Sequence, residues 1–247
     1  MGGRSGIIGS LAVATVLGGC AGAPTEGQLI ADPYEGYNRA VHSLNVGFDR
    51  VVLRPLSQGY DIVAPALVKH LASNAVDHIS LPVHFFNYVL QGDVDAALTA
   101  FGRFGVNTLV GAGGLLDPAT EFGLPASPTD FGLTLASAGA DEGVYLVLPL
   151  FGPSTTRDAV GKVGDFALNP LTYVTVGSGS GEIALLAVEN GGPPIVARHR
   201  NFDLIDELLY ESEDSYVALR TAYVLNRRAR AAEGGVDVEN LPDIFAE

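Results

Sequence analysis

Cysteine occurs once in the 247 residues, at Cys20. A single thiol can close no disulfide within the chain and can build no Cys-based metal site. Cationic side chains are scarce as well, with 14 Lys and Arg against 28 Asp and Glu and a formal charge of −14. Phosphate neutralisation needs clustered Lys and Arg, so nucleic acid is excluded as a partner. No hydrophobic run reaches the roughly 18 to 20 residues that a membrane-spanning helix requires. Period-two alternation is almost absent. Only Val144 to Leu148, stopped by Pro149, could form a short strand, which excludes a large sheet.

Signatures of catalysis are missing too. The five histidines (His42, His70, His78, His84, His199) contain no i,i+4 pair and no H-E-x-x-H, so a zinc scaffold is lacking. Gly177-Ser178-Gly179-Ser180-Gly181 superficially resembles a nucleophile elbow or a phosphate loop. An elbow needs Ser where Gly179 stands, and a dinucleotide loop needs Gly where Glu182 stands. The segment therefore reads as a flexible turn. Carboxylates are dispersed, and no pair stands out for acid/base work. The expectation is a protein with no catalytic residues, no metal and no cofactor.

What the chain does have is oil. Hydrophobic residues make up 47% and charged residues 17%, with a mean hydropathy of +0.27. This excludes a disordered chain and places the apolar surplus in a core, on a partner or on lipid. The 31 glycines imply many breaks.

The N-terminus reads as an export signal over residues 1–19. Arg4 is its one charge, Ile7 to Leu17 is apolar, and Leu17-Gly18-Gly19-Cys20 has the form of a bacterial lipobox. Cys20 is then the acylated residue, and Ala21 in place of Asp directs such a lipoprotein to the outer membrane. Residues 20–31 read as the acylated Cys and a flexible tether. A single helical domain is expected over residues 32–233 and a loose acidic tail over 234–247.

Within that domain, Asp32-Pro33-Tyr34-Glu35 reads as an N-cap, first helical residue and capping-box glutamate. Tyr34, Tyr37, Val41, Leu44, Phe48 and Val51 form one apolar stripe on a helix reaching about Leu53. Asn38 and Asn45 lie beside this stripe, seven residues apart. Helices are next expected from Pro65 and again from Pro82 to Gln91. Asp93 caps a further one over Val94 to Val110, with Val94, Ala97, Leu98, Phe101, Phe104 and Thr108 inward. Gly102 and Gly105 suggest close backbone approaches there. The last helix runs from about Ser215 to Glu233 and places Tyr216, Leu219 and Tyr223 on one face. The segment Pro118 to Pro128 reads as a mobile loop.

Several local strings are specific in combination. They are Asp32-Pro33-Tyr34-Glu35-Gly36-Tyr37-Asn38-Arg39, Phe85-Phe86-Asn87-Tyr88-Val89-Leu90-Gln91-Gly92, Arg103-Phe104-Gly105-Val106-Asn107 and Gly113-Gly114-Leu115-Leu116-Asp117. They continue with Asp130-Phe131-Gly132-Leu133-Thr134-Leu135 and Leu148-Pro149-Leu150-Phe151-Gly152-Pro153-Ser154-Thr155-Thr156-Arg157-Asp158, then Tyr216-Val217-Ala218-Leu219-Arg220. In this order they resemble the MlaA (VacJ) lipoprotein family over about Asp32 to Arg230, with a departure at Ser73 to His78.

The resemblance implies an all-α fold, a ring (donut) of amphipathic helices around a central amphipathic channel with at most a short hairpin. It implies an outer-membrane lipoprotein lying in the inner leaflet. Such a protein removes mislocalised phospholipid from the outer leaflet and passes it to the periplasmic carrier MlaC, in association with a trimeric porin. On that reading Asn38, Asn45 and Phe48 are candidates for the channel or its rim. Arg103, Asn107, Arg157 and Asp158 are candidates for structural polar contacts. A structural or adhesive lipoprotein remains the alternative, and a lipid hydrolase is disfavoured by the missing elbow.

Overall fold

The computed structural model describes residues 29–170 and 192–232. Cys20, the signal segment, most of the tether, the Gly177–Gly181 turn and the acidic tail lie outside the described residues. Helices dominate. They are α1 (Glu35–Phe48), α2 (Arg54–Val63), α3 (Ala66–Gln91), α4 (Val94–Leu109), α5 (Pro118–Glu121), α6 (Phe131–Ser137), α7 (Thr156–Leu168), α8 (Gly192–Arg200), α9 (Phe202–Asp206) and α10 (Ser215–Ala231). One antiparallel hairpin pairs β1 (Tyr145–Leu148) with β2 (Gly152–Thr155). Wide π-helical turns at Asp49–Leu53 and Glu207–Glu211 join α1 to α2 and follow α9.

Some boundaries differ from the sequence reading. Asp32 does not cap α1, whose N-cap Tyr34 makes no side-chain cap bond. The Asp32 carboxylate instead accepts from Arg220 Nη1 at 2.8 Å, from the Tyr216 hydroxyl and from Asn38 Nδ2 at 2.8 Å. Charge-assisted bonds to α10 outcompete a cap worth about 1 kcal/mol. Pro82 does not open a separate helix; it lies inside the 26-residue α3. Ile30 and Ala31, expected at the end of a tether, are buried, and the Ala31 carbonyl accepts from Tyr145 N at 2.9 Å.

The larger difference is which helix faces point inward. On α4 the buried residues are Ala97, Ala100, Arg103 and Asn107, while Val94, Leu98, Phe101 and Phe104 are exposed. On α1 the buried set is Asn38, Val41 and His42, while Tyr34, Tyr37, Leu44 and Phe48 of the apolar stripe face out. The same holds for α7, where Asp158 and Gly161 are buried and Val160, Val163 and Phe166 are exposed. On α1, α4 and α7 most of the apolar stripe faces outward, whereas on α10 Tyr216 is buried and Tyr223 packs against the core of Ile30, Val41, Tyr145, Val147 and Val224. Gly105 has open space around its Cα and Gly102 meets only the Leu124 side chain, so neither marks the expected backbone approach.

Ion pairs and side-chain amides hold this interior. Arg227 of α10 reaches Asp130 at 2.6 and 2.9 Å and Asp158 at 2.8 and 2.9 Å, and Tyr223 donates to Asp158 at 2.6 Å. One guanidinium thus ties α10 to the start of α6 and to the first turn of α7. Asp130 also caps α6 by accepting from Leu133 N. The helices can close this far because Gly161 faces Gly132, where an added Cβ would come within 2.5 Å of the Gly132 nitrogen. Asn87 of α3 adds a third strut. It donates to Asp165 at 2.9 Å and accepts from Thr134 at 2.7 Å.

Burial alone would push the Asp130 and Asp158 carboxyls up, but the hydrogen bonds and charge of Arg227 outweigh it, so both titrate below the ordinary carboxylate range. A depressed folded pKa contributes stability that is complete above the unfolded value of about 3.9 and is lost as pH falls through the folded value. Arg227→Met should strand two carboxylates and cost about 3 to 5 kcal/mol. Urea unfolding followed by circular dichroism should show that loss at pH 7 and a smaller one at pH 3, where the carboxylates are protonated in the variant.

Candidate functional site

Asn38 and Asn45 explain how a hairpin of two four-residue strands survives among helices. A two-stranded hairpin is marginal by itself. Here Asn38 Nδ2 donates to the Tyr145 carbonyl at 3.1 Å and Asn38 Oδ1 accepts from Val147 N at 2.9 Å. One step along, Asn45 Nδ2 donates to the Leu148 carbonyl at 3.0 Å and Asn45 Oδ1 accepts from Leu150 N at 2.7 Å. Each primary amide behaves as a piece of backbone: Asn38 satisfies the free edge of β1, and Asn45 satisfies the turn that follows it. Seven residues of helix rise about 10.5 Å, close to the span of about 10 Å from Tyr145 to Leu148, so the first amide meets the strand and the second meets the turn.

The clasp places the turn after β1 against the end of α1, and a groove of about 310 Å³ opens beside it. Its apolar walls come from Phe48, Leu53, Leu150, Phe151, Ile205 and Leu219, contributed by α1, the first π-helical turn, the hairpin, α9 and α10. Leu150 and Phe151 are 61% and 74% exposed, so this wall is open to an incoming apolar group. Leu150 holds a positive φ of 65°, which turns the chain sharply at the groove edge.

The polar side of the groove is a charge-balanced network. Arg198 of α8 reaches Asp49 at 2.8 and 3.2 Å, bonds Asp206 and donates to the Phe202 carbonyl at 3.1 Å. Arg54 reaches Asp206 at 2.6 Å, and the Tyr210 hydroxyl donates to Asp49 at 2.7 Å. Two guanidiniums face two carboxylates. Burial, then the bond to Asp49, pushes the Tyr210 phenol up to about 12, so it stays a donor. Both π-helical turns meet in this network through Asp49 and Tyr210, and such turns are frequent at functional sites. His42, also on the groove wall, is held below the usual imidazole range by burial and sits 2.9 Å from the Ser215 hydroxyl.

The residues singled out in the sequence therefore separate. Asn38 is fully buried with both amide ends committed, so it reaches neither a channel nor a rim. Asn45 is committed to the hairpin as well, but it stands on the groove wall with Phe48. Arg103 bonds Asp117 at 2.9 and 3.0 Å and Thr120 at 3.0 Å, and Asn107 donates to Asp117 at 2.8 Å and accepts from Ala119 N at 3.1 Å. Arg157 lies 3.4 Å from Asp158 and 3.3 Å from the Ala140 carbonyl. The segment Pro118 to Pro128, read as mobile, is tied down by Arg103 to the Leu124 carbonyl, Tyr88 to the Ser127 carbonyl at 2.8 Å and Arg230 to the Pro128 carbonyl at 2.7 Å. Sequence reasoning missed Asp49, Arg54, Arg198 and Asp206. The spacing of about 150 residues between Asp49 and Arg198 and between Arg54 and Asp206 leaves no local signal.

No group of three or more His, Cys, Asp and Glu able to hold a metal occurs among the described residues, and none of their helices is long and apolar enough to cross a membrane. Fold and groove together define a mainly helical protein with one short hairpin, an exterior that carries many exposed apolar residues, and an interior that combines a small apolar cluster with buried ion pairs and amides. The chain belongs to the MlaA lipoprotein family, whose model matches residues 30–230. It is 32% identical over 245 residues to the intermembrane phospholipid transport system lipoprotein MlaA of Haemophilus influenzae, covering 96% of this chain and 95% of that one. The Escherichia coli protein of the same name is 32% identical over 225 residues, covering 90% and 86%. An uncharacterized protein of Rickettsia felis is 38% identical over 204 residues, covering 82% and 78%. A solved chain, from work on the structural basis for maintenance of bacterial outer membrane lipid asymmetry, matches with a TM-score of 0.67 at 30% identity. It is aligned over 81% of this chain and 98% of that one.

Asn38→Leu should leave the Val147 N–H and the Tyr145 carbonyl without their partner and cost about 2 to 6 kcal/mol, since each buried unpaired group costs about 1 to 3. Thermal unfolding measures the loss, and amide exchange should quicken first at Val147.

Proposed function

We propose that this protein is an outer-membrane lipoprotein that removes mislocalised phospholipid from the outer leaflet and passes it towards the inner membrane. The observation that carries the proposal is the inverted amphipathicity. Val51, Ile62, Val63 and Leu109 are 74 to 85% exposed, and Phe101 and Phe166 exceed 60%. Exposed apolar residues over this many helices exceed what a water-soluble monomer sustains. In the inner leaflet they meet acyl chains at no cost, and helices there satisfy their own backbone. Cys20 carries the anchor that holds the chain at the membrane.

The groove supplies what the exterior alone does not. A two-chain lipid of about 32 carbons, at about 0.8 kcal/mol per CH₂, faces a desorption cost on the order of 25 kcal/mol. Movement between leaflet and carrier therefore needs an apolar wall for the tails beside a polar strip for the head. Phe48, Leu150 and Phe151 provide the first, and Asn45 with the Asp49–Arg198 network the second. The names of the Haemophilus and Escherichia relatives place them in phospholipid transport, and the same role fits these residues. No bond is made or broken in such a step. The receiving partner is a periplasmic carrier of the MlaC type, and a trimeric porin is the partner within the membrane.

A purely structural lipoprotein would have the same exterior but no use for the groove. Leu150→Asp with Phe151→Asp should keep the fold, because both side chains are exposed, and should lower phospholipid transfer to the carrier at least tenfold. Equal transfer by the double variant, or a purified protein free of phospholipid, would favour the structural reading. Release of free fatty acid on incubation with phospholipid would instead mark a hydrolase.

A further inference from the structure

Of the 14 Lys and Arg, all but Arg4 fall among the described residues. There, every cation except one hydrogen-bonds a carboxylate, a carbonyl or a hydroxyl. The exception is Arg50, on the π-helical turn Asp49–Leu53, which is exposed and has neither a hydrogen bond nor an ion pair. In a chain so poor in cations, an unspent guanidinium asks for an anion from outside.

Arg50 is nonetheless held in place. Its guanidinium carbon lies 5.3 Å from the centre of the Tyr210 ring, and that of Arg54 lies 5.0 Å from the same centre. Asp206 occupies Nε and Nη2 of Arg54, which leaves Nη1 free on a side chain that is 38% exposed. An aromatic ring attracts a guanidinium through its π face and consumes none of its N–H groups, so the donors stay available for an oxyanion. The Tyr210 hydroxyl is itself fixed to Asp49 at 2.7 Å.

The charges of this cluster do not cancel. Three guanidiniums, Arg50, Arg54 and Arg198, meet two carboxylates, Asp49 and Asp206. Asp203, Glu207 and Glu211, the other acids of α9 and the turn after it, are exposed, and none forms an ion pair with Arg50. The groove's own cation cannot serve a further anion, since Arg198 is spent on Asp49, Asp206 and the Phe202 carbonyl.

The surroundings name the anion. Val51, next in the chain, is exposed, as are Leu44 of α1 and Leu56 of α2. A cation among lipid-facing apolar residues lies where acyl chains give way to heads, and the anion at that level is a lipid phosphate. Leu53 and Leu209, on the same two π-helical turns, line the groove. These turns therefore carry both the free cation and part of the apolar wall.

We propose that Arg50 and the free Nη1 of Arg54, held on the Tyr210 ring, bind the phosphodiester of the lipid whose tail lies in the groove. This rests on the reading of the groove as a lipid path and adds a phosphate site outside its lining. Diacylglycerol, with the same tails and no phosphate, is not held there.

The test is arginine footprinting with phenylglyoxal on the full-length protein in dodecyl maltoside, read by peptide mass spectrometry. Arg50 should react at least fivefold faster than Arg39 and Arg228, whose side chains are also open to solvent but are engaged by carboxylates. Dioleoylphosphatidylglycerol should slow the reaction at Arg50 at least fivefold, and dioleoylglycerol at the same mole fraction or inorganic phosphate should leave it unchanged. Arg50→Gln should lower phospholipid transfer to the carrier at least fivefold with an unchanged melting temperature. Equal protection by dioleoylglycerol or by inorganic phosphate, no protection by the phospholipid, or undiminished transfer by Arg50→Gln would overturn the proposal. Selective protection of Arg50 in a protein that transfers no lipid would uphold the phosphate site and count against transport through the groove.

Discussion

Arg227, gripping Asp130 and Asp158 at once, shows the constraint on which the whole fold depends. A protein whose apolar faces meet lipid gains little from packing those faces against one another, because acyl chains are as apolar as Leu. Cohesion has to come from polar groups turned inward. The described residues contain several such joints: Arg227 with its two aspartates, Arg198 with Asp49 and Asp206, Arg103 with Asp117, and Asp32 with Arg220 and Tyr216. Each joins elements far apart in sequence. The scarcity of Lys and Arg therefore takes on a meaning: most of the arginines in the described residues are committed to carboxylates inside or between helices.

That arrangement explains what could be read from the chain and what could not. Helices, the Asp93 cap and the single strand at Tyr145 were legible, since they depend on local chemistry. The second strand, Gly152-Pro153-Ser154-Thr155, was not, because Thr155 is its one β-favouring residue and the strand is held by its partner. The inward faces were misread for one physical reason. Periodicity reports that a stripe exists and says nothing about whether protein or lipid covers it. Leu98, Phe101 and Phe104 carry the same spacing in either case. The resemblance to the family identified the lipid environment, yet residue roles still had to come from contacts.

Asn38 and Asn45 illustrate the gap most clearly. Their seven-residue spacing was visible, and their place beside the apolar stripe suggested a channel. The strand they serve lies more than 100 residues away, so no local pattern could pair them. Once paired, they do contribute to the groove, by fixing the turn at Leu150 and Phe151 that forms its open wall. On the proposed function, this clasp couples structure to transport: the amides that hold the hairpin set the apolar edge at Leu150 and Phe151.

The central claim is that the exposed stripes face acyl chains. The chain contains no tryptophan, so single reporters can be introduced without background. Val63→Trp, Phe101→Trp and Phe166→Trp, with Glu213→Trp as a polar-surface control, should be compared in bilayers of lipids brominated at mid-chain. The account predicts strong quenching at 63, 101 and 166 and little at 213. Unquenched emission at 63, 101 and 166 alike would contradict it, since those faces would then be covered by protein or water.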